Sequence, residues 1–535
     1  MRAGYWTDAG VTSLVPSLPF GLCALVIVGS LVLGGSTRSG FMSDAVLQFL
    51  SIPPLLISLW QFLHVVPGER RANSFKWGLA FCVALAGIPL IQLVPLPPTV
   101  WTALPNRQAV AEAFKLAGDD LPWMPISVSP EATWLSTVSL IPPVAVFLST
   151  LLLGYAERRL MSLLVLSVGV ISAFLGLLQV AQGPSSPLRF FPFTNVTEAV
   201  GFFANRNHFS ALLYSLILLT TCWATDAIFR ARASSNLKAH DATAVAAVVV
   251  SVAIAIVLLS AQAMARSRAG LALTILALIG AFALASAYWR MMSRGMAKLL
   301  VGSAALIFLV ISEFTLYRIM ERFAIDPLAD SRITFARNTL AAALEYMPFG
   351  SGMGSFVPVY GMYEQPGDTM INAFANHAHN DILEVSLEAG IFGIGLMGVF
   401  ALWVTKRSVE IWRSTRLGPR NIDLWLARAA TIIVILLSIH SFVDYPLRTA
   451  AVMAIAAFAC GLLVAPFAEP EAASVRHEDA RPQAAEKRRR QAPVRAGSVP
   501  ASGHMLAGGP LQESGGERWV ENITWPEAWR KGPQG

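Results

Sequence analysis

Residues 376–393 read NHAHNDILEVSLEAGIFG. The stretch opens on Asn376, His377, His379 and Asn380, then turns apolar while still carrying Asp381, Glu384 and Glu388. Ionisable groups at the mouth of an apolar helix are expensive to place in lipid, so they mark a working site by default. The apolar part sets the fold class. It runs from 381 to 404, long enough to cross a hydrocarbon core that takes roughly 20 apolar residues.

Outward from this stretch the same pattern repeats. Of the 535 residues, 55% are hydrophobic and 14% charged, against about 25% charged in soluble proteins; mean hydropathy is +0.57. About twelve runs reach spanning length, near 15–34, 44–66, 75–94, 132–153, 160–182, 207–229, 243–264, 269–289, 297–317, 381–404, 425–443 and 447–467. The chain is therefore predicted to be an all-α integral membrane protein of about twelve transmembrane helices, with a long periplasmic loop before the tenth. Pro53-Pro54 and Pro142-Pro143 interrupt two runs, tolerable where neighbours re-satisfy the backbone. Cys23, Cys82, Cys222 and Cys460 lack CxxC spacing, so neither a zinc site nor a disulfide framework is implied. The first apolar run reads as a membrane anchor rather than a cleaved signal.

The joins holding Arg70-Arg71-Lys76, Arg158-Arg159, Arg230-Arg232-Lys238, Arg290-Arg294-Lys298 and Lys406 to Arg420 are short, basic and alternate in the chain. The positive-inside bias places them, and both termini, in the cytoplasm. The net charge of +7 thus reflects loop location and implies no nucleic-acid partner. Longer joins at 95–131, 183–206 and 318–380 fall on the other side, the periplasm of a bacterium. Loops this long usually work, so that face is the expected active one. The last of them predicts an amphipathic helix over 330–346 and a turn-rich GSGMGSF at 350–356. Residues 1–467 thus read as one transmembrane domain and 468–535 as a disordered cytoplasmic tail. KRRR at 487–490 would lie near anionic membrane lipid.

No Walker loop, GxGxxG or HExxH motif is present, so no cofactor and no metal are expected. Arginine is present on the predicted outer face instead. Arg206 lies in GFFANRNHFSALL, Arg266 and Arg268 in ARSRAG, and Arg318, Arg322, Arg332 and Arg337 in the long loop. These depart from the orientation bias, and a guanidinium matches the oxygens of a diphosphate. His379 is the candidate base, because histidine titrates near neutrality. Asp381 as N-cap with Glu384 at N3 would form a capping box. Glu388, one turn further, has no capping role and reads as a buried partner. Gly390, Gly393, Gly395 and Gly398 would let another helix approach. His377, His208 and Asp444 are further polar groups at the boundary, with Asp444 expected to orient an arginine.

Six segments carry a resemblance: IQLVPLPPTVW (91–101), GFFANRNHFSALL (201–213), SRAG (267–270), PFGSGMGSF (348–356), NHAHNDILEVSLEAGIFG (376–393) and HSFVDYPLR (440–448). In these pieces and their order the chain resembles the O-antigen ligase/O-antigen polymerase superfamily of bacterial membrane proteins. The resemblance implies a metal-independent, inverting glycosyl transfer from a glycan on undecaprenyl diphosphate. It implies that His379 is the essential loop histidine; from their place on the following helix, Glu384 or Glu388 is expected to support it. It further implies that Arg206 and Arg268, with Arg266 beside the latter, handle the diphosphate. Arg318, Arg322, His377 and Asp444 are candidate contacts of the substrate loop. The acceptor is left open between lipid A–core, a growing carrier-linked glycan and a protein hydroxyl. A transporter of a small anion or glycan precursor is the alternative; it would place ionisable groups near the midplane of repeated, broken helices.

Overall fold

Lipid offers backbone N–H and C=O groups no partner, so a chain this apolar satisfies them within helices. The computed structural model describes residues 17–37, 40–64, 69–233, 237–286, 302, 328–368, 374–414 and 421–464. These residues all belong to one unit, Met1–Ala472. Span 297–317 apart from residue 302, Arg318, Arg322 and the 468–535 tail lie outside the described residues.

Among the described residues nine helices are long and apolar enough to cross a membrane. They are Met42–His64, Phe75–Gln92, Pro130–Leu152, Tyr155–Gln182, Arg206–Arg230, Val245–Ala265, Arg268–Ala285, Asp381–Arg413 and Ile422–His440. Each matches one expected run. Two more expected runs correspond to the shorter apolar helices Leu18–Leu33 and Ala450–Leu462. The only extended pairing among the described residues is a two-residue antiparallel ladder, Pro95 with Pro125 and Leu96 with Met124. Helix Leu328–Tyr346 stands where the sequence predicts one.

The core lies around the Arg206–Ala233 helix, which buries Phe209, Tyr214 and Leu216 among Trp425 and Ile433 of the Asn421–His440 helix. Small residues permit the approach: a side chain at Gly169 would strike Leu216, and one at Gly176 the Phe209 ring. The end of the first helix is fastened to two distant segments. Gly35 O accepts from Ala204 N at 3.0 Å, and Gly34 O from Ala451 N at 3.1 Å.

The Asp381–Arg413 helix is broken at Gly390, where φ is +58° and ψ −146°. The loop 348–353 fills the break. Leu387 O accepts from Ser351 N at 2.9 Å, Glu388 O from Gly352 N at 3.0 Å, and Pro348 O from Ile391 N at 3.0 Å. Gln92 completes the joint. Its Nε2 donates to Glu388 O (2.8 Å) and Phe349 O (3.2 Å), and its Oε1 accepts from Met353 N (3.0 Å). The glycine expectation is corrected here. A Cβ on Gly390 would run into the Pro348 carbonyl of a loop, not a helix, while Gly395 and Gly398 face nothing within 4 Å among the described residues.

Candidate functional site

The loop 374–380 crosses the mouth of the Asp381–Arg413 helix. Asn380 is the N-cap, its Oδ1 accepting from Ile382 N (3.0 Å) and Leu383 N (3.1 Å). The expected capping box at Asp381 and Glu384 is therefore replaced. Asparagine caps as well as aspartate, and Asp381 is drawn away to accept from Ser441 Oγ at 2.8 Å. Glu384 reaches back over the loop instead. Its Oε2 accepts from Ala378 N (2.8 Å) and its Oε1 from His377 Nδ1 (2.7 Å).

His379 holds φ at +50°, a left-handed conformation uncommon for residues other than glycine. Its Nδ1 donates to Asp444 Oδ1 at 3.0 Å. Asp444 is fully buried and also accepts from Asn207 Nδ2 and, at 3.0 Å, from Tyr445 N. Arg332 lies 3.9 Å from its other oxygen. Burial resists the charge on Asp444. The His379 hydrogen bond and the nearby His379, His208 and Arg332 outweigh it and hold the carboxyl well below its ordinary range. An ionised Asp444 fixes the proton of His379 on Nδ1 and leaves the Nε2 lone pair available. Phe335 stacks on the imidazole at 5.9 Å and Tyr445 meets it edge-on at 4.9 Å. Asp444 thus orients the candidate base more closely than it orients an arginine.

Beside this imidazole lies a cavity of about 270 Å³, lined by Arg206, Arg332 and His379 together with Asn195, Asn205 and Asn376. Arg206 begins its helix, and its Nη1 is 2.8 Å from Glu198 Oε1. Arg268 begins the adjoining helix, whose Gly270 lies against Ser210, four residues after Arg206. Arg266, at φ +53°, occupies the turn before it. Neither Arg266 nor Arg268 lines the cavity. Arg337 points elsewhere, to Asp368 at 3.2 Å. His208 is buried against the edge of Tyr445 at 4.8 Å.

Glu384 and Glu388 are fully buried and do not line the cavity. Both face Arg448, the last residue of HSFVDYPLR, for which the sequence reading gave no role. Its Nη1 is 2.8 Å from Glu388 Oε2 and 3.3 Å from Glu384 Oε1, and its Nε 3.4 Å from Asp381 Oδ1. Positions 381, 384 and 388 share one helix face. Three acidic groups on a face that also buries Leu387 were the signal that a buried cation had to meet them. Among the described residues no group of histidines, cysteines and carboxylates is arranged to hold a metal ion.

Residues 253–398 match the family model described as O-antigen ligase. Over this segment the chain is similar to the O-antigen ligase/O-antigen polymerase superfamily. The matched segment covers the helix that starts at Arg268, the loop helix with Arg332 and Phe335, and the whole 376–393 stretch. This match, with the apolar helices, supports a glycosyltransferase-like enzyme of lipopolysaccharide or polysaccharide biosynthesis in a multi-pass membrane protein. No curated protein matches the chain.

Proposed function

We propose that this protein transfers or polymerises a glycan from an undecaprenyl-diphosphate carrier onto an acceptor hydroxyl, at the periplasmic face of a bacterial inner membrane. One observation carries the reading: two arginines and an aspartate-held histidine converge on one cavity. The carrier's tail stays in the bilayer while its diphosphate meets Arg206, with Arg268 at the start of the neighbouring helix. Arg332 faces the same space. The acceptor oxygen attacks the anomeric carbon from the side opposite the diphosphate, and the carbon–oxygen bond to the diphosphate breaks with inversion. The hydroxyl proton passes to His379 Nε2, and Asp444 stabilises the imidazolium that forms. Arginine charge placed where the diphosphate departs lowers the barrier in the way that preorganised donors do, and no metal is assigned a step. Glu384 and Glu388 support the histidine loop from inside the helix.

In this reading the basic joins and both termini face the cytoplasm, 1–467 form the membrane domain and 468–535 a cytoplasmic tail. The test is transfer in liposomes holding purified protein and lipid-linked glycan, offered either lipid A–core or a second carrier-linked repeat. Product with one acceptor separates ligase from polymerase. Undiminished product from His379→Ala would remove the base assignment. A deletion strain with normal glycans and lost solute uptake would replace the reading with a transporter.

A further inference from the structure

His377 precedes His379 by two residues and has no step in the proposed transfer. It is the better enclosed of the two, at 18% side-chain exposure against 22%. Each of its ring nitrogens faces an oxygen: Nδ1 lies 2.7 Å from Glu384 Oε1, and Nε2 3.2 Å from the carbonyl of Thr37. A neutral imidazole has one N–H, and a carbonyl can only accept. Glu384 is an acceptor here too. Its Oε2 takes the Ala378 N–H, and its Oε1 faces Arg448 Nη1 at 3.3 Å. Both contacts of His377 are hydrogen bonds together only when both nitrogens carry protons.

We propose that His377 is held as an imidazolium, and that this charged ring is a positioning residue that pins the loop in front of His379. Glu384 grips two consecutive loop residues, His377 and Ala378, directly before the left-handed turn at His379. The other nitrogen ties the loop to Thr37, itself part of the cavity wall. The ring face packs on Tyr445 at 4.2 Å, whose backbone N–H donates to the aspartate that holds His379. Loss of one proton leaves one of two enclosed acceptors without its donor, a cost that falls on the loop.

The charged and titratable groups facing His377 are Glu384, Glu388 and Asp381 from the helix, Arg448 and Tyr445 beyond residue 440, and His208. Burial works against its charge. The Glu384 carboxylate and hydrogen bond outweigh both burial and Arg448, and move the pKa up from 6.5. A raised value means that the stabilisation is fully present below the unfolded pKa of about 6.5 and is lost as pH rises through the folded one.

The catalytic consequence rests on the proposed transfer; the charge on His377 does not. The experiment therefore has an activity-independent half. Unfolding temperature and backbone hydrogen exchange over 374–380 are measured for detergent-purified wild type and His377→Gln at matched pH from 5.5 to 9. The expected result is a wild-type advantage in both at low pH that closes as pH rises. A gap that does not change with pH, or no gap, overturns the imidazolium. In the transfer assay His377→Gln should lower kcat on the order of tenfold with donor KM unchanged, and lose the basic limb that wild type shows. A folded variant that keeps wild-type kcat and that limb overturns the positioning role. If wild type transfers nothing, the transfer reading falls, and unfolding and exchange still decide the pin.

Discussion

Arg448 Nη1 donates to Glu388 Oε2 at 2.8 Å across 60 residues of chain. The pair joins the segment after the Asn421–His440 helix to the interior of the broken helix, about two turns from the histidine loop. Since Glu384 and Asp381 share the same guanidinium, one cation balances a face that would otherwise hold unpaired buried charge. Removing one partner from such an arrangement costs more than the arrangement itself contributes.

Arg448→Ala should therefore lower stability by about 3–5 kcal/mol. Thermal unfolding in detergent reads this directly. A variant that melts with wild type would mean that the carboxylates are not carried by Arg448.

His379→Asn separates chemistry from fold. Asparagine accepts the left-handed backbone, so the purified variant should unfold near the wild-type temperature. Without a base near neutrality, transfer should drop on the order of 10²–10⁴-fold. Wild-type turnover from this variant would transfer the base role to another group.

Asp444→Asn should reduce transfer while substrate retention changes little, because an amide no longer dictates which nitrogen of His379 holds the proton. Its stability effect has a defined sign. The Asp444 carboxyl is depressed in the folded protein, so its contribution is present above the ordinary carboxylate value of about 3.9 and is lost as pH falls through the folded one. Unfolding temperatures of wild type and variant should differ at pH 7 and approach one another in acid. A difference that grows on acidification contradicts the assignment.

Gly390→Ala places a Cβ against the Pro348 carbonyl and Gly350 N at φ +58°. The backbone alone should cost about 1–3 kcal/mol, and the displaced loop adds to it. Gly395→Ala, five residues on with an open side, is the control and should leave unfolding unchanged. Equal behaviour of the two would mean that the break is not required.

Period and composition were enough for the membrane helices, because a spanning segment has to announce itself as an apolar run. Arg206 and His379 were legible from their motifs, and they do line one cavity. Arg332 was one arginine among several in a loop; only the fold of helix 328–346, which stacks its Phe335 on His379, distinguishes it. Arg448 sat inside a quoted motif, yet its partners lie 60 to 67 positions earlier, a separation that local spacing does not reveal. The Gly390 break was hidden for a related reason: a glycine in an apolar helix reads the same whether a helix or a loop approaches it.

Gln92 is bonded to three backbone groups on two segments at once, Phe349 O and Met353 N of the loop and Glu388 O of the broken helix. The turn at 350–356 is consequently not an independent cassette. A chimera that imports this turn from another O-antigen ligase-type protein would inherit a mismatched seam unless position 92 and the broken helix travel with it. Exchange of specificity between relatives should succeed only when those three pieces are moved as a set.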